Sequence, residues 1–191
     1  MPSNHAGERI GRGTKRSSAC RPERKGYTVI HKPISGPLLF LDFDGVQHPH
    51  EHYRHQYFSS LPRLEALLRD YPSVNIVITS SWRESFDLNE LRQFFCEEIA
   101  PRIIGVTTCI DDRKPFRRYR EIQQFLAKYA GLQTPWLALD DMAFHYPQPC
   151  PQLIVCNLRT GFGKTEELQL RHQLGQIVQS SDLQPLRSAP D

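Results

Sequence analysis

The sequence has no long apolar run, no closely spaced cysteine pair and no hydrophobic leader. None of its apolar stretches approaches the roughly 18 residues of a membrane-spanning helix, and the basic N-terminus lacks the apolar segment of a secretory signal. The five cysteines among the 191 residues are odd in number and form no CxxC motif, which argues against a disulfide framework and a zinc ribbon. We therefore expect a soluble, cytoplasmic protein with no membrane contact and no disulfide partner.

Net positive charge is confined to the first 32 residues. That segment holds eight Lys and Arg residues and two acidic residues, a charge of +6, whereas the rest of the chain holds 16 bases and 19 acids, a charge of −3. Residues 1–33 are predicted to be a disordered basic tail, and residues 181–191 a short C-terminal tail. This leaves residues 34–180 for one domain of ordinary size. The basic tail either gives non-specific affinity for nucleic acid or is simply solvated.

Between the predicted tails, short apolar runs alternate with segments of helical spacing. The strands are predicted at residues 38–41, 74–78, 103–106, 136–139 and 153–156. The helices are predicted at residues 61–69, after Asp87, at 116–130 and at 164–178. Strands that alternate with helices form a mainly parallel sheet with helices on both faces, so the predicted fold class is α/β. Ligands of such sheets bind beyond the carboxyl ends of the strands.

Acidic and hydroxyl side chains follow three of the predicted strands directly. Asp42 and Asp44 follow the first strand, Thr79 follows the second, and Asp140 and Asp141 follow the fourth. The carboxyl ends of parallel strands share one edge of the sheet, so we expect these groups to gather there. Four carboxylates at that edge repel one another unless a cation lies among them. Oxygen ligands together with a substrate phosphate suit Mg²⁺.

The motifs LLFLDFDGV, IVITSSWR and LALDD resemble, in this order, three signatures of the haloacid dehalogenase (HAD) superfamily of phosphohydrolases. The SSWR ending, the REI motif of the arginine-rich helix and residues 158–164 further resemble the HAD branch found in RNA-repair proteins. The phosphatases of polynucleotide ends are a more distant likeness. The resemblance covers roughly residues 36–175. It implies a three-layer, Rossmann-like (HAD-like) sandwich, and the short intervals between the motifs predict a capless fold with an open catalytic edge.

The resemblance implies roles for the acidic residues. Asp42 is expected to attack phosphorus and to form an aspartyl-phosphate. Asp44 is expected to protonate the leaving oxygen, then to activate the hydrolytic water, and to bind the metal through its backbone carbonyl alongside Asp42. Asp141 is expected to ligate Mg²⁺, and Asp140 to ligate the ion or to orient its waters.

Five further residues are expected to contact the substrate or to shape its site. Thr79 is expected to donate its hydroxyl to the phosphate, with the backbone N–H of Ser80 beside it. Gly45 is expected to allow a sharp turn after the first strand. Arg83 is expected either to reach the substrate or to form a surface salt bridge. His48, in a flap that follows the turn, is the nearest candidate for contacting the leaving group.

A cation that grips the phosphate is expected before the fourth strand. Arg118 is favoured because its spacing from the following Glu-Ile pair resembles the RNA-repair branch. Lys114 is the second candidate because a proline follows it, as in many HAD phosphatases, and Arg120 is the third. Arginine can hold a phosphate through two parallel N–H bonds, whereas lysine acts as a point charge.

The expected function is hydrolysis of a phosphomonoester with Mg²⁺ as cofactor. Nucleic acid ends or nucleotides are the favoured substrates because an open edge admits a large molecule, and nucleic acid repair is the process that such an activity suggests. A phosphatase of small molecules or of phosphoproteins is one alternative. A non-catalytic HAD-fold module that binds phosphorylated ends is another, although the presence of all four acids argues against it.

Overall fold

A computed structural model of the protein describes residues 34–51 and 56–182. The strands are β1 (Leu38–Leu41), β2 (Asn75–Ile78), β3 (Ile103–Val106), β4 (Trp136–Asp140) and β5 (Leu153–Val155). The helices are α1 (Leu61–Arg69), α2 (Leu88–Arg92), α3 (Arg117–Phe125) and α4 (Lys164–Asp182). The predicted basic tail lies outside the described residues, and so does most of the predicted C-terminal tail.

The five strands form one parallel sheet in the order β3-β2-β1-β4-β5. The predicted α/β class is therefore confirmed. The central strand β1 pairs with β2 and β4 so that Leu41 lies opposite both Ile78 and Leu139. Because the three strands are in this register, the residues that follow them reach the same edge of the sheet.

The sheet is covered on both faces, as the continuous apolar strands predict. Leu39 and Leu41 of β1 belong to one core cluster, which also contains buried leucines of α1, α2 and α4. Leu38 and Phe40 belong to a second cluster with Ile122 of α3. All four β1 residues are fully buried, which gives the nearby polar residues a rigid support. The result is the expected three-layer sandwich.

One helix begins at its predicted cap, and two depart from their predicted bounds. Helix α4, predicted at residues 164–178, continues to Asp182 and so into the predicted C-terminal tail. The side chain of Asp87 accepts a hydrogen bond from the backbone N–H of Glu90, while the Glu90 side chain accepts one from the backbone N–H of Asp87. This reciprocal pair begins α2 as predicted. The helix predicted at residues 116–130 instead changes to a π-helical turn at Leu126–Ala130. Gly131, at φ 93°, ends that turn.

The described segments between the motif strands hold no inserted cap domain. The interval between β1 and β2 contains α1, and the interval between β2 and α3 contains α2 and β3. The carboxyl edge of the sheet is therefore not covered by a further folded unit within residues 34–51 and 56–182. In the same ranges, the helices are too short or too polar to span a bilayer, and the cysteines form no disulfide.

Candidate active site

Three carboxylates meet at the carboxyl ends of β1 and β4. Each of Asp42, Asp140 and Asp141 offers one oxygen, and the three oxygens lie within 4.8 Å of one another. The Oδ1 atom of Asp141 is buried and accepts no hydrogen bond from the part of the chain that the structure describes. Clustered carboxylates with an unsatisfied buried oxygen fit a hard divalent cation such as Mg²⁺. These three residues could therefore hold a metal ion.

Gly45 provides the space that Asp141 occupies. Its φ of 72° lies in the left-handed region, and a Cβ atom added there would lie 2.2 Å from Oδ2 of Asp141. Only glycine combines this backbone conformation with such a close approach at low cost. Gly45 thus allows the sharp turn after β1 and also brings that turn against the metal-ligand candidate.

The Asp42 carboxylate is held at both of its oxygens. Oδ1 accepts a hydrogen bond from the backbone N–H of Phe43 at 2.8 Å, and Oδ2 accepts one from Nη2 of Arg118 at 3.1 Å. The side chain of Asp42 is 8% exposed. A buried carboxylate with both oxygens oriented is well suited to attack in a defined direction.

Arg118 connects the acids of the two strands. Its Nε lies 3.3 Å from Oδ2 of Asp140, and its Nη2 bonds to Asp42. Its third nitrogen, Nη1, is buried and has no hydrogen-bond partner among the described residues. Lys114 is exposed, and Arg120 is paired with Asp112. Among the three predicted phosphate-gripping bases, Arg118 is the residue whose guanidinium lies among the acids.

The surroundings shift the pKa values of Asp140, Asp141 and Arg118. Burial, followed by the negative charge of Asp42, raises the pKa of Asp140 to about 7, and Arg118 opposes this effect. Burial and Asp42 also raise the pKa of Asp141. Burial works to lower the pKa of Arg118, but the charges of Asp42 and Asp140 outweigh it and raise that pKa. A cation bound at this cluster would favour the ionised carboxylates.

Asp140 is fixed by two further hydrogen bonds. The backbone N–H of Met142 donates to Oδ1 at 2.8 Å, and the hydroxyl of Tyr146 donates to Oδ2 at 3.0 Å. Tyr146 is 1% exposed. No motif of the sequence indicates this contact, because Tyr146 lies in a loop six residues beyond the strand end. Asp140 is thus oriented from three directions, including Arg118.

Asp44 lies outside the carboxylate trio and has its own donors. Nε2 of His48 lies 3.0 Å from its Oδ1, and Nε1 of Trp82 donates to both oxygens at 3.3 and 3.2 Å. Burial works to raise the pKa of Asp44, but the hydrogen bond and charge of His48, the Trp82 hydrogen bond and the charge of His50 together lower it. Its side chain is 34% exposed, so Asp44 remains open to a substrate.

His48 and Trp82 therefore surround Asp44. His48 is fully buried: its Nε2 lies beside Asp44, and its Nδ1 accepts a hydrogen bond from the backbone N–H of Phe58 at 3.5 Å. The sequence analysis assigned Trp82 no role in the site, and its hydrogen bond to Asp44 was not expected. The position of the SSWR motif indicates that Trp82 lies near Asp44, because the two residues follow neighbouring strands at the same edge of the sheet.

Thr79 and Ser80 follow β2, next to the end of β1. Thr79 is 1% exposed, and its hydroxyl has no hydrogen-bond partner within the described ranges. The hydroxyl of Ser80 accepts a hydrogen bond from the backbone N–H of Trp82 at 3.4 Å, which caps the short 3₁₀ turn Ser81–Glu84. The unsatisfied Thr79 hydroxyl is thus a donor available at the carboxyl edge.

Arg83 points into the protein, whereas the sequence suggested either a contact with the substrate or a surface salt bridge. Its guanidinium donates to the backbone carbonyls of Thr79, Ser80 and Thr107 and pairs with Glu121 at 2.8 Å. The two side chains of the ion pair are 2% and 1% exposed. Arg83 therefore connects the chain after β2 to α3, and it holds Thr79 and Ser80 in position through their backbone carbonyls.

One family model describes the region that contains all of these residues. The model, described as the HAD domain in Swiss Army Knife RNA repair proteins, matches residues 38–166. The match begins at the first residue of β1 and ends in α4. No curated protein and no solved structure shows a significant match.

Proposed function

The chain belongs to the family of HAD domains in Swiss Army Knife RNA repair proteins, and from this premise we propose that it is a Mg²⁺-dependent phosphatase of nucleic acid ends or nucleotides. The observation that carries the proposal is the buried trio of Asp42, Asp140 and Asp141, which lies beside Arg118. Carboxylates that hold a cation next to a fixed nucleophile and a buried arginine are the groups that phosphoryl transfer requires.

Asp42 is the proposed nucleophile. One of its oxygens attacks phosphorus, the bond from phosphorus to the leaving oxygen breaks, and an aspartyl-phosphate forms. Water then attacks phosphorus, and the carboxylate of Asp42 and inorganic phosphate are released. When bound at the trio, Mg²⁺ supplies positive charge that lets an anionic carboxylate approach an anionic phosphate.

Thr79 and Arg118 are proposed to bind the phosphate. The Thr79 hydroxyl and Nη1 of Arg118 are both buried without a partner among the described residues, and an unsatisfied buried polar group costs about 1–3 kcal/mol. A phosphate oxygen supplies the acceptor that each of them lacks. The backbone N–H of Ser80 is proposed as a further donor. Donors that are already fixed before the reaction stabilise the developing charge without reorganisation.

Asp44 is the proposed acid and base. Its lowered pKa favours the carboxylate form, which suits the step in which it activates water. For the first step it must carry a proton, and the negative charge of a bound phosphate favours protonation of a nearby carboxylate. His48 and Trp82 hold this carboxylate in place, so their proposed role is to orient it toward the leaving oxygen.

The proposal is tested by phosphate release from a generic aryl phosphate with and without Mg²⁺. Asp42→Asn is expected to abolish turnover and to leave the circular dichroism spectrum unchanged. The matched control is Asp112→Asn, because Asp112 is a partly exposed carboxylate that pairs with Arg120, outside the acid cluster. Substantial activity of Asp42→Asn, or equal activity without Mg²⁺, would contradict the proposal.

The substrate class is tested with a panel of phosphomonoesters. Oligonucleotides with a 3′- or 5′-phosphate are expected to be hydrolysed with higher kcat/KM than a sugar phosphate or a phosphopeptide. Preference for one of the latter two would instead favour a small-molecule or phosphoprotein phosphatase. Tight binding of phosphorylated ends with no turnover in any buffer would favour a binding module.

A further inference from the structure

Trp82 contacts Asp44, the proposed acid for the leaving group, and two further aromatic rings contact Trp82. The indole of Trp82 donates to the Asp44 carboxylate. Phe86 stacks on this indole with a centroid distance of 5.4 Å and an interplanar angle of 25°. Tyr57 meets the indole edge-on at 5.8 Å and the ring of His48 edge-on at 5.3 Å. We call Tyr57, Trp82 and Phe86 the aromatic ledge.

The two outer rings of the aromatic ledge, Tyr57 and Phe86, are partly exposed. Tyr57 is 43% exposed and Phe86 is 38% exposed. Deeper rings beneath the ledge explain part of its packing, since Phe58 and Phe94 stack at 4.6 Å below Trp82. Core packing therefore accounts for the inner faces of the ledge, and part of the surface of Tyr57 and of Phe86 is accessible to solvent. An exposed apolar surface beside a reactive group is typical of a ligand-binding site.

We propose that the aromatic ledge stacks against the base of the nucleoside that carries the scissile phosphate. This inference rests on the proposed phosphatase function and specifies its substrate class. The acid Asp44 must reach the oxygen that leaves phosphorus, and in a nucleotide this oxygen belongs to the sugar. Trp82 touches Asp44 directly, so the ledge lies beside the leaving oxygen, within reach of the base that the sugar carries.

Stacking fits the ledge better than recognition of a charged group. The acidic side chains of Glu84 and Asp87 are exposed on either side of Phe86 in the sequence, and the neighbouring Arg83 is buried in its ion pair. Negative charges beside the ledge disfavour a second phosphate there. Every base has a π face, so an aromatic platform binds the terminal base with little dependence on its identity.

The test compares a short oligonucleotide that carries a terminal phosphate with the same oligonucleotide lacking its terminal base. The wild-type protein is expected to prefer the complete substrate by about tenfold in kcat/KM, the size of one base–aromatic stack. Phe86→Leu and Tyr57→Leu keep an apolar side chain but remove the ring. They are expected to lose most of this preference through a higher KM with unchanged kcat, as loss of uniform binding predicts.

A matched control is Leu132→Ala. Leu132 is 60% exposed and lies shortly before β4, at the opposite edge of the sheet, so its variant is expected to keep the full preference. If the ledge variants and this control behave alike, the ledge has no role in substrate binding. A preference of the wild-type protein for a phosphopeptide over the complete oligonucleotide would equally overturn the proposal.

A binding measurement tests the role of the ledge independently of the catalytic proposal. The Kd of Asp42→Asn is measured for both oligonucleotides by equilibrium titration, which requires no turnover. Binding of the complete end about tenfold tighter than the abasic end supports the ledge, even if no phosphate release is ever observed. Equal Kd values for the two oligonucleotides would overturn the proposal that the ledge binds the base. They would not affect the phosphatase proposal, which the aryl phosphate assay tests separately.

Discussion

Replacing Arg83 by methionine is expected to lower the free energy of unfolding by about 3–5 kcal/mol, the cost of breaking a buried ion pair from one side. The substitution removes the closer of the two ion pairs of Glu121, which is 1% exposed. The Glu121 carboxylate then keeps only Arg117 at 3.8 Å and the backbone N–H of Ile110 at 3.0 Å as partners among the described residues. The substitution also removes the donors of three backbone carbonyls. Domains of this size are stable by only about 5–15 kcal/mol, so the loss is a large part of the total.

The effect is measured by urea unfolding followed by circular dichroism. Glu121→Gln is expected to be destabilised as well, because it leaves the Arg83 guanidinium as a buried charge without its carboxylate. The double variant Arg83→Met/Glu121→Met is expected to be more stable than Arg83→Met, since an apolar pair of similar volume avoids the cost of burying charge. Arg120→Met is the control. It breaks the more exposed pair with Asp112, and such pairs add little stability.

Two results would refute this reasoning. A loss of less than about 1 kcal/mol in Arg83→Met would mean that water or another group compensates Glu121. A raised KM with an unchanged unfolding curve would mean that Arg83 contacts the substrate, as one of the two interpretations of the sequence allowed.

Three other substitutions or labels probe separate features. Gly45→Ala is expected to lose most phosphate release because its Cβ would collide with Asp141. The control Gly131→Ala is expected to keep phosphate release because its Cβ would meet its nearest atom at 3.9 Å. Similar rates of phosphate release for the two variants would contradict this. Asp87→Ala is expected to lower the free energy of unfolding by about 1 kcal/mol through loss of the helix cap, and an unchanged urea midpoint would count against the cap. Burial raises the pKa of the Cys156 thiol, so Cys156 is expected to resist alkylation until the protein unfolds; mass spectrometry showing early labelling would exclude that picture.

The order and type of the main elements could be predicted because the signals are local. The run Leu38–Leu41 is apolar throughout, as a strand buried on both faces requires, and the structure buries all four residues. The Asp42 and Asp140 positions followed from the same logic, since parallel strands in register bring their carboxyl ends together. The start of α2 could be predicted because Glu90 follows Asp87 by three residues, which is the spacing of a reciprocal helix cap.

Other features depend on contacts between distant parts of the chain and carry no local signal. Glu121 lies on α3, far along the sequence from Arg83, and neither residue differs from an ordinary surface charge when read alone. The contact between Trp82 and Asp44 also joins two separate loops. The change to a π-helical turn at Leu126–Ala130 keeps the same apolar face as an α-helix, so periodicity did not distinguish the two.

The hydrogen bond from Trp82 to Asp44 also makes the site optically observable. The chain has two tryptophans, and the other, Trp136, is 8% exposed in the core cluster on the α3 side of the sheet. The emission of Trp136 should therefore stay nearly constant, whereas that of Trp82 should respond to any group that stacks on its neighbours or changes the charge of Asp44. In a Trp136→Phe background, fluorescence then reports occupancy of the leaving-group side in the unlabelled protein.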